Sequence, residues 1–224
     1  MPPLKGLIFD LDGTLIDSAP DLRHALNAML KDYGRGELGL DTVTRMTGDG
    51  MMPLITRAFE ATGGVPEGFN SYSSFQVFIA HYRNLNPDPA QIYPGGREAI
   101  ERYFKAGVKL GICTNKQEAA TVRLLEQLEL ARYFTFIAGG DTFPVHKPHP
   151  DHVRGVLLQL GSTPANSVMI GDGPNDVTAA RGAGVACIVV MHGYGGDYAE
   201  LRPDKAIGGF GELEEALKAL GFSL

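Results

Sequence analysis

The stretch Leu7-Ile8-Phe9-Asp10-Leu11-Asp12-Gly13-Thr14-Leu15 places two acids directly after a short apolar run. The run predicts a buried strand, and side chains two residues apart on a strand project to the same side. Ligands of open parallel sheets bind at the carboxyl ends of the strands. Two neighbouring carboxylates there repel each other, which favours a divalent cation. A plain turn at Asp12-Gly13 is the simpler alternative. A calcium loop of the EF-hand type is excluded, because its sixth position requires glycine and Leu15 stands there.

Short apolar runs alternate with helical patterns along most of the chain, which predicts an α/β fold with a parallel sheet covered by helices. The first strand, which ends at Asp10, is expected to be central. Helical spacing of apolar residues separates the runs, as in Val153-Val156-Leu157-Leu160. The runs predicted as strands are Leu7–Phe9, Val108–Cys113, Phe134–Ala138, Val168–Ile170 and Ala186–Met191.

One long interval contains only helical patterns. From about Asp17 to Ile92 no strand-like run occurs, and the apolar stretches have helical spacing. These stretches are Leu22–Leu30, Leu54–Phe59 and Phe75–Tyr82. Pro94-Gly95-Gly96 marks the return to the alternating pattern. We therefore expect a helical domain over residues 17–92, inserted into a core formed by residues 1–16 and 93–224.

Composition limits the classes of function. The 224 residues are 44% hydrophobic and 21% charged, which suits a globular protein with a substantial core. A formal net charge of −6 gives no attraction for nucleic acid or for anionic membranes. The two cysteines, Cys113 and Cys187, lie in apolar runs and predict buried thiols in a reducing compartment. No apolar run approaches the length of a membrane span, so a cytoplasmic location is expected.

Two further strand ends carry groups that suit an anion. Thr114 and Asn115 follow the second run and offer neutral hydrogen-bond donors beside a helix start, although helix capping is the simpler interpretation. In Val145-His146-Lys147-Pro148-His149-Pro150, two prolines would fix Lys147 between a strand and a helix. Lys147 could there direct a point charge at a phosphate, although most lysines are solvated. His146, His149 and His152 recur every three residues, but intervening prolines break the helical face, which disfavours a histidine metal site.

The fourth strand end carries acids again, in Gly171-Asp172-Gly173-Pro174-Asn175-Asp176. A dinucleotide-binding turn is disfavoured, because Asp176 replaces the third glycine and both acids would repel a pyrophosphate. Carboxylates at this position suit a cation better. Acids on strands one and four and anion donors after strands two and three would meet at one rim of the sheet.

These motifs, taken in order, resemble the haloacid dehalogenase superfamily. The matching residues are Asp10-Leu11-Asp12-Gly13-Thr14, Thr114-Asn115, Lys147, and Gly171-Asp172 with Asp176. The longer stretch from Phe9 to Leu22 is especially similar to phosphoglycolate-phosphatase-like members with a helical cap. Gly173 departs from the serine common there, which affects only the geometry of the local turn. The resemblance implies a Rossmann-like core with the cap inserted after the first strand.

The resemblance also implies roles for the motif residues. Asp10 would be the nucleophile, and Asp12 the general acid and then the general base. Mg²⁺ would be held by the Asp10 carboxylate, the main-chain carbonyl of Asp12 and Asp172, with Asp176 nearby or acting through water. The phosphoryl oxygens would be bound by Thr114, Asn115 and Lys147.

Asp12 helps to choose between the reactions of this superfamily. An alkoxide leaving group needs a proton and a halide does not, so an acid at this position favours phosphate esters over dehalogenation. Sugar-phosphate mutases of β-phosphoglucomutase type have a histidine where this chain has Leu22, and His24 is out of register. Mutase activity is the alternative enzymatic function. A non-catalytic protein that binds phosphorylated metabolites is the alternative outside enzymes, and the intact acids and Lys147 disfavour it.

The predicted cap contains one candidate for substrate recognition. Arg45-Met46-Thr47-Gly48-Asp49-Gly50 lies where related enzymes contact the leaving group of the substrate. Arg45, Thr47 and Gly48 are therefore predicted specificity residues for a small phosphorylated metabolite. The simpler interpretation is a glycine-rich connector between helices with a solvated Arg45.

Overall fold

The computed structural model describes residues 3–88, 91–196 and 198–223. Residues 1, 2, 89, 90, 197 and 224, which belong to the domain ranges predicted above, lie outside that description. The chain divides into two units. One contains the residues up to Asp17 together with those from Asp88 onward, and the other is Ser18–Pro87.

In chain order, β1 (Gly6–Phe9) precedes the helices α1 (Ala19–Asp32), α2 (Leu40–Met46), α3 (Met51–Ala61) and α4 (Ser71–Arg83). Then follow α5 (Gly96–Lys105), β2 (Lys109–Cys113), α6 (Glu118–Gln127), β3 (Phe136–Ala138), α7 (Pro150–Leu160) and β4 (Ser167–Gly171). The last elements are α8 (Pro174–Ala183), β5 (Ala186–Val190), α9 (Tyr198–Leu201), β6 (Lys205–Ile207) and α10 (Leu213–Ala219). Short 3-10 helices occur at Ala131–Tyr133, Pro164–Asn166 and Phe210–Glu212.

The sheet of the first unit has the strand order β3-β2-β1-β4-β5-β6, and every neighbouring pair is parallel. The predicted α/β fold with a parallel sheet is confirmed, and β1 is central as expected. Phe9 pairs with Ile112 of β2 on one side and with Ile170 of β4 on the other. The carboxyl ends of three strands therefore meet around the residues that follow Phe9.

The strands are buried on both faces, which explains why they read as continuous apolar runs. Leu7 and Phe9 pack into a cluster with apolar residues of α5, α6 and α10 on one face of the sheet. Ile8 points to the opposite face and packs with residues of α7 and α8, such as Val153 and Val177. Helices on both faces leave the strand ends as the open edge of the layered core.

The structure adds one strand to the five that the sequence predicts. β6 pairs with β5 at the edge of the sheet and is only three residues long. Lys205 and Ala206 are exposed, and Ile207 alone is buried. An edge strand needs only one buried side chain to attach it, so it carries no apolar run for sequence analysis to detect.

The second unit is helical throughout its regular elements. Apolar residues of α1, α3 and α4 are buried together, and the Tyr33 and Phe59 rings meet edge to face at 5.1 Å. The sequence pattern missed α2, because Val43 is its only buried residue. Arg45, interpreted above as part of a connector, lies in the last turn of that helix. Within the described ranges, none of the helices combines the length and hydropathy needed to cross a bilayer.

Candidate active site

Asp10 lies at the centre of the rim, immediately after β1. Its backbone N–H donates to the carbonyl of Ile170, 2.8 Å away, which extends the pairing of β1 and β4 by one residue. Its side chain is within 2.8 Å of Lys147 Nζ. Burial raises the pKa of Asp10 to about 6, while Lys147 opposes this shift and Asp176 adds to it. Asp10 is therefore a desolvated carboxylate that depends on nearby positive charge to stay ionised.

Lys147 is a buried cation shared by two acids. Its Nζ contacts Asp10 Oδ1 at 2.8 Å and Asp176 Oδ1 at 2.5 Å, and its side chain is only 2% exposed. Burial alone would lower the pKa of Lys147, but the charges of Asp10 and Asp176 outweigh it and raise the pKa above its ordinary value. The lysine stays charged at the rim, where an anion could approach it.

The backbone of Lys147 is held by a buried histidine. Its N–H donates to His152 Nδ1 at 3.2 Å, and His152 Nε2 lies 3.1 Å from the carbonyl of Gly139. Nδ1 is thus the acceptor and Nε2 the donor, the arrangement of a neutral imidazole. Burial, followed by the charge of Lys147, lowers the pKa of His152 to about 4. His152 therefore fixes the loop that carries Lys147.

Asp172 approaches Asp10 from the end of β4 and is held by two donors. Thr14 Oγ1 donates to Asp172 Oδ1 at 2.9 Å, and the backbone N–H of Tyr194 donates to Oδ2 at 2.6 Å. Burial raises the pKa of Asp172 well above its usual range, and the charges of Asp176 and Asp10 raise it further. Three acids crowd one buried place, where a single lysine does not balance their charge.

The donor set of this acid cluster fits a hard divalent cation. Asp10, Asp172 and Asp176 each offer an oxygen, and these three oxygens lie within 4.8 Å of one another. Asp10 Oδ1 is buried and makes no well-formed hydrogen bond, although the ammonium of Lys147 faces it. Oxygen ligands of this kind suit Mg²⁺. Asp176 fits less well as a direct ligand, because its Oδ2 already accepts the N–H groups of Asp172 and Gly173.

Asp12 lies outside the acid cluster, although it is only two residues from Asp10. Its two carboxylate oxygens are 3.1 and 3.2 Å from Nζ of Lys116. The chain leaves strand geometry after Phe9 and turns through Gly13, whose φ is +83°. The two acids of the first motif contact different lysines, Asp10 with Lys147 and Asp12 with Lys116.

Thr114 and Asn115 follow β2 at the same rim. The backbone N–H of Thr114 donates to the carbonyl of Ala138, and its hydroxyl accepts the N–H of Lys116 at 3.3 Å. Asn115 Nδ2 donates to the carbonyl of Lys147 at 2.9 Å. Asn115 thus connects the second and third predicted motifs. The binding of phosphoryl oxygens by these side chains stays a prediction.

Comparison with known proteins identifies the family of this arrangement. Residues 7–190 match the haloacid dehalogenase-like hydrolases. The chain belongs to that family. Its membership, implied by the motifs, is thereby confirmed.

Relatives of this hydrolase include phosphatases of similar length. The phosphoglycolate phosphatase of Agrobacterium fabrum is 40% identical over 217 residues, which cover 96% of this chain and 93% of the relative. That of Chromobacterium violaceum is 37% identical over 221 residues, covering 96% and 97%. The crystal structure of a predicted phosphoglycolate phosphatase from Haemophilus somnus 129PT has a TM-score of 0.89 at 28% identity, covering 96% and 98%. This haloacid dehalogenase-like hydrolase is a phosphatase.

Two site residues of the hydrolase were missed by sequence reasoning. Lys116 stands directly after Thr114-Asn115, and its two-residue spacing from Thr114 at a strand end was the available signal. Tyr194 had none, because it acts through its backbone N–H on Asp172 and its ring hydroxyl donates to Asp17 at 2.7 Å. The histidines near Lys147 differ in their contacts: His146 Nδ1 lies near a carbonyl and His149 caps α7.

The predicted specificity residues of the hydrolase lie in its second unit. Arg45 is exposed at the end of α2, and Thr47 Oγ1 donates to the carbonyl of Val43 at 3.0 Å. Gly48 has a φ of +121°, which only glycine adopts easily. Arg57 donates to the carbonyl of Met46 at 2.8 Å and pairs with Asp49. Arg57 therefore braces the loop between α2 and α3.

Proposed function

We propose that this phosphatase hydrolyses small phosphate monoesters with the help of Mg²⁺, through a phosphoaspartyl intermediate on Asp10. The observation that carries the proposal is the position of Asp10. It is buried at the end of the central strand, in contact with the cation Lys147 and grouped with two further acids. A desolvated carboxylate beside a lysine and two further acids is suited to binding a metal cation and to attacking a phosphate.

Asp10 is the nucleophile of the first step. One of its carboxylate oxygens attacks phosphorus, the bond to the ester oxygen breaks, and the phosphoryl group is transferred to Asp10. A carboxylate about 4 Å from one unit of phosphate charge is repelled by roughly 4 kcal/mol at an effective dielectric of 20. Lys147 reduces this repulsion, because its ammonium contacts Asp10 and faces the same rim.

Asp12 transfers the protons. In the first step it protonates the departing oxygen, and in the second it removes a proton from the water that attacks the phosphoaspartyl group. Its carboxylate is 15% exposed, contacts Lys116 and lies outside the acid cluster. The two carboxylates of one motif can therefore serve as nucleophile and as acid–base group.

Mg²⁺ is the cation that suits this donor set. The residues that would hold it are Asp10 and Asp172 through their carboxylates and Asp12 through its main-chain carbonyl, while Asp176 supports them from Lys147 and the backbone. When bound, it would offset the charge of the acids and of the transferring phosphoryl group. Thr114 and Asn115 are proposed to donate to the phosphoryl oxygens beside Lys147.

The first substrate to test is 2-phosphoglycolate. The curated relatives described above are named for it, and their similarity covers nearly the whole chain. Arg45, Thr47 and Gly48 are the proposed specificity residues, with Arg45 as the partner for a substrate carboxylate. A cytoplasmic location stays a prediction from composition.

The decisive experiment traps the phosphoenzyme. Radiolabelled 2-phosphoglycolate is mixed with excess enzyme and Mg²⁺ and quenched in acid on the millisecond scale. Label should remain on protein, be released by hydroxylamine and map to Asp10. Asp10→Asn should abolish the adduct. Asp12→Asn should slow turnover by about 10²–10⁴-fold, the usual contribution of general acid–base catalysis.

A panel of phosphate monoesters separates the alternatives. Release of inorganic phosphate identifies hydrolysis, whereas conversion of a sugar phosphate to its isomer would identify a mutase. Binding without turnover would identify a phosphometabolite-binding protein. The trapping experiment is decisive when wild-type enzyme turns over before the quench and breakdown of the intermediate is rate-limiting. If no adduct appears under these conditions, the covalent route is wrong.

A further inference from the structure

Two buried lysines serve the two acids of the first motif separately. Lys147 contacts Asp10 and Asp176, whereas Lys116 contacts Asp12. Lys116 Nζ lies almost equally far from both Asp12 oxygens, at 3.1 and 3.2 Å. Its side chain is 1% exposed, so the contact is shielded from solvent. The proposed mechanism uses Asp12 but gives no role to Lys116.

The backbone of Lys116 is fixed from two directions. Its N–H donates to Thr114 Oγ1, and its carbonyl accepts the N–H of Gly140 at 2.8 Å. The loop after β3 passes so close that a side chain at Gly139 would overlap the backbone of Lys116 and Glu118. The lysine therefore starts from a rigid base, and little orientational freedom remains for the group that it contacts.

Stability alone does not account for this pair. Burying two charges has a desolvation cost that often cancels their attraction, and apolar replacements of buried pairs are frequently neutral or stabilising. A core position at this depth is more simply filled by an apolar residue. A charged lysine here is explained better by what it does to Asp12.

A proton-transfer group must reach one atom from one direction. Asp12 directly precedes the turn through Gly13, and rotation about its side-chain bonds would redirect its carboxylate oxygens. Contact of one ammonium with both oxygens restrains rotation of the carboxylate. We propose that Lys116 is a positioning residue that orients Asp12 for proton transfer to the leaving oxygen. This inference rests on the proposed function.

The test compares leaving groups. An alkyl phosphate such as 2-phosphoglycolate needs a proton on its leaving oxygen, whereas p-nitrophenyl phosphate releases a stable anion and needs little help. The quantity measured is the single-turnover rate of Asp10 phosphorylation. This rate excludes hydrolysis of the phosphoaspartyl group, the second step, in which the role of Asp12 is the same for both substrates. Lys116→Met should slow phosphorylation by the alkyl ester about 10- to 100-fold and by the aryl ester less than about threefold.

Double substitution shows whether Lys116 acts through Asp12. Asp12→Asn should produce the same leaving-group pattern, and adding Lys116→Met to it should cause little further loss, because the group to be positioned is gone. Lys116→Arg, which keeps the charge, should recover part of the alkyl rate. Lys109→Met is the matched control, since this exposed lysine starts the same strand β2 at its opposite end. It should leave both rates unchanged.

Equal losses of the phosphorylation rate with both esters in Lys116→Met would overturn the proposal. So would a double variant whose rate loss equals the product of the losses in Lys116→Met and Asp12→Asn. Thermal unfolding and vanadate affinity of each variant identify a general loss of structure. If Lys116→Met does not fold, Lys116→Gln takes its place, with the same outcomes required. Failure of the proposed function is distinct: it appears in the wild type, as absence of the Asp10 adduct, before any variant is made.

Discussion

Lys147 Nζ lies 2.8 Å from Asp10 Oδ1 and 2.5 Å from Asp176 Oδ1, so one buried ammonium holds two buried carboxylates. The side chains of Lys147 and Asp176 are 2% and 3% exposed, and that of Asp10 is 13% exposed. Lys147 helps Asp10 to stay ionised, and the charges of Asp10 and Asp176 raise the pKa of Lys147 above its ordinary value. The consequences can be measured as both stability and activity.

Lys147→Met should therefore destabilise the fold in a pH-dependent manner. Removing one partner of a buried ion pair costs roughly 3–5 kcal/mol, because the remaining charge is unpaired. Asp10 already has a pKa raised to about 6, and loss of the lysine raises it further. Below that pKa Asp10 takes up a proton, so the cost of removing Lys147 should shrink. Urea unfolding in chelator should give a larger difference from wild type at pH 8 than at pH 5.

An unchanged difference at the two pH values would contradict this coupling. Lys105→Met is the control, because its exposed side chain pairs with Glu101 on the helix surface. Such surface pairs contribute about 0–1 kcal/mol.

His152 should make the stability fall as the solution becomes acidic. Its pKa is lowered to about 4 in the folded protein against an ordinary 6.5, so between these values the unfolded chain binds a proton that the folded chain does not. Stability from this group is complete above pH 6.5 and decreases on acidification, by about 2 kcal/mol between pH 7 and 5.

The measurement is the difference between wild type and His152→Gln. Asp10 and Asp172 have raised pKa values and act in the opposite direction over the same range, so the raw curve of either protein is not informative. Their contributions cancel in the difference. Parallel curves for the two proteins would show that His152 titrates normally.

Mg²⁺ should stabilise the protein without any substrate. A ligand present at 100 times its dissociation constant adds about 2.7 kcal/mol to the free energy of unfolding. The melting temperature should rise on addition of Mg²⁺ and fall back in excess chelator. The effect should weaken below pH 6, because protons compete for Asp10 and Asp172, whose pKa values are raised. Asp172→Asn should abolish it, whereas Asp151→Asn, at the exposed start of α7, should not.

Arg45 should discriminate between substrates by their charge. If Arg45 contacts a substrate carboxylate, Arg45→Ala should lower kcat/KM for 2-phosphoglycolate about tenfold or more and spare neutral alkyl phosphates. Arg57→Ala is the matched control. It removes the brace on Met46 and Asp49 and should affect both substrate classes alike. Equal losses in Arg45→Ala would assign Arg45 to the solvated surface.

Much of the fold and of the rim could be predicted, because strong local signals coincide there. β1 is buried on both faces and reads as an apolar run, and the residues that follow it bear charge. The elements that were missed have weak signals. β6 buries only Ile207, and α2 buries only Val43. Both are held by tertiary contacts, which no local pattern records.

The contacts within the site divide in the same way. Sequence reasoning found the acids and Lys147 by their positions at strand ends. It missed the pairing of Asp12 with Lys116, which joins residues 104 positions apart, because spacing along a chain does not specify which acid meets which lysine. It missed Tyr194 because the contact with Asp172 uses a backbone N–H, which every residue except proline has, so the residue type gives no signal.

The hydrogen bond from Thr14 to Asp172 spans 158 residues, and the contact between Thr14 and His192 spans 178. During synthesis, Asp10 leaves the ribosome long before β4 and the loop that orients Asp172 exist. Asp10, the proposed nucleophile, can approach Asp172 and Asp176 only when β4 has docked beside β1. We therefore expect a nascent or truncated chain that lacks these last segments to carry the proposed nucleophile without activity. Appearance of turnover during refolding should report the docking of the final strands rather than the collapse of the first ones.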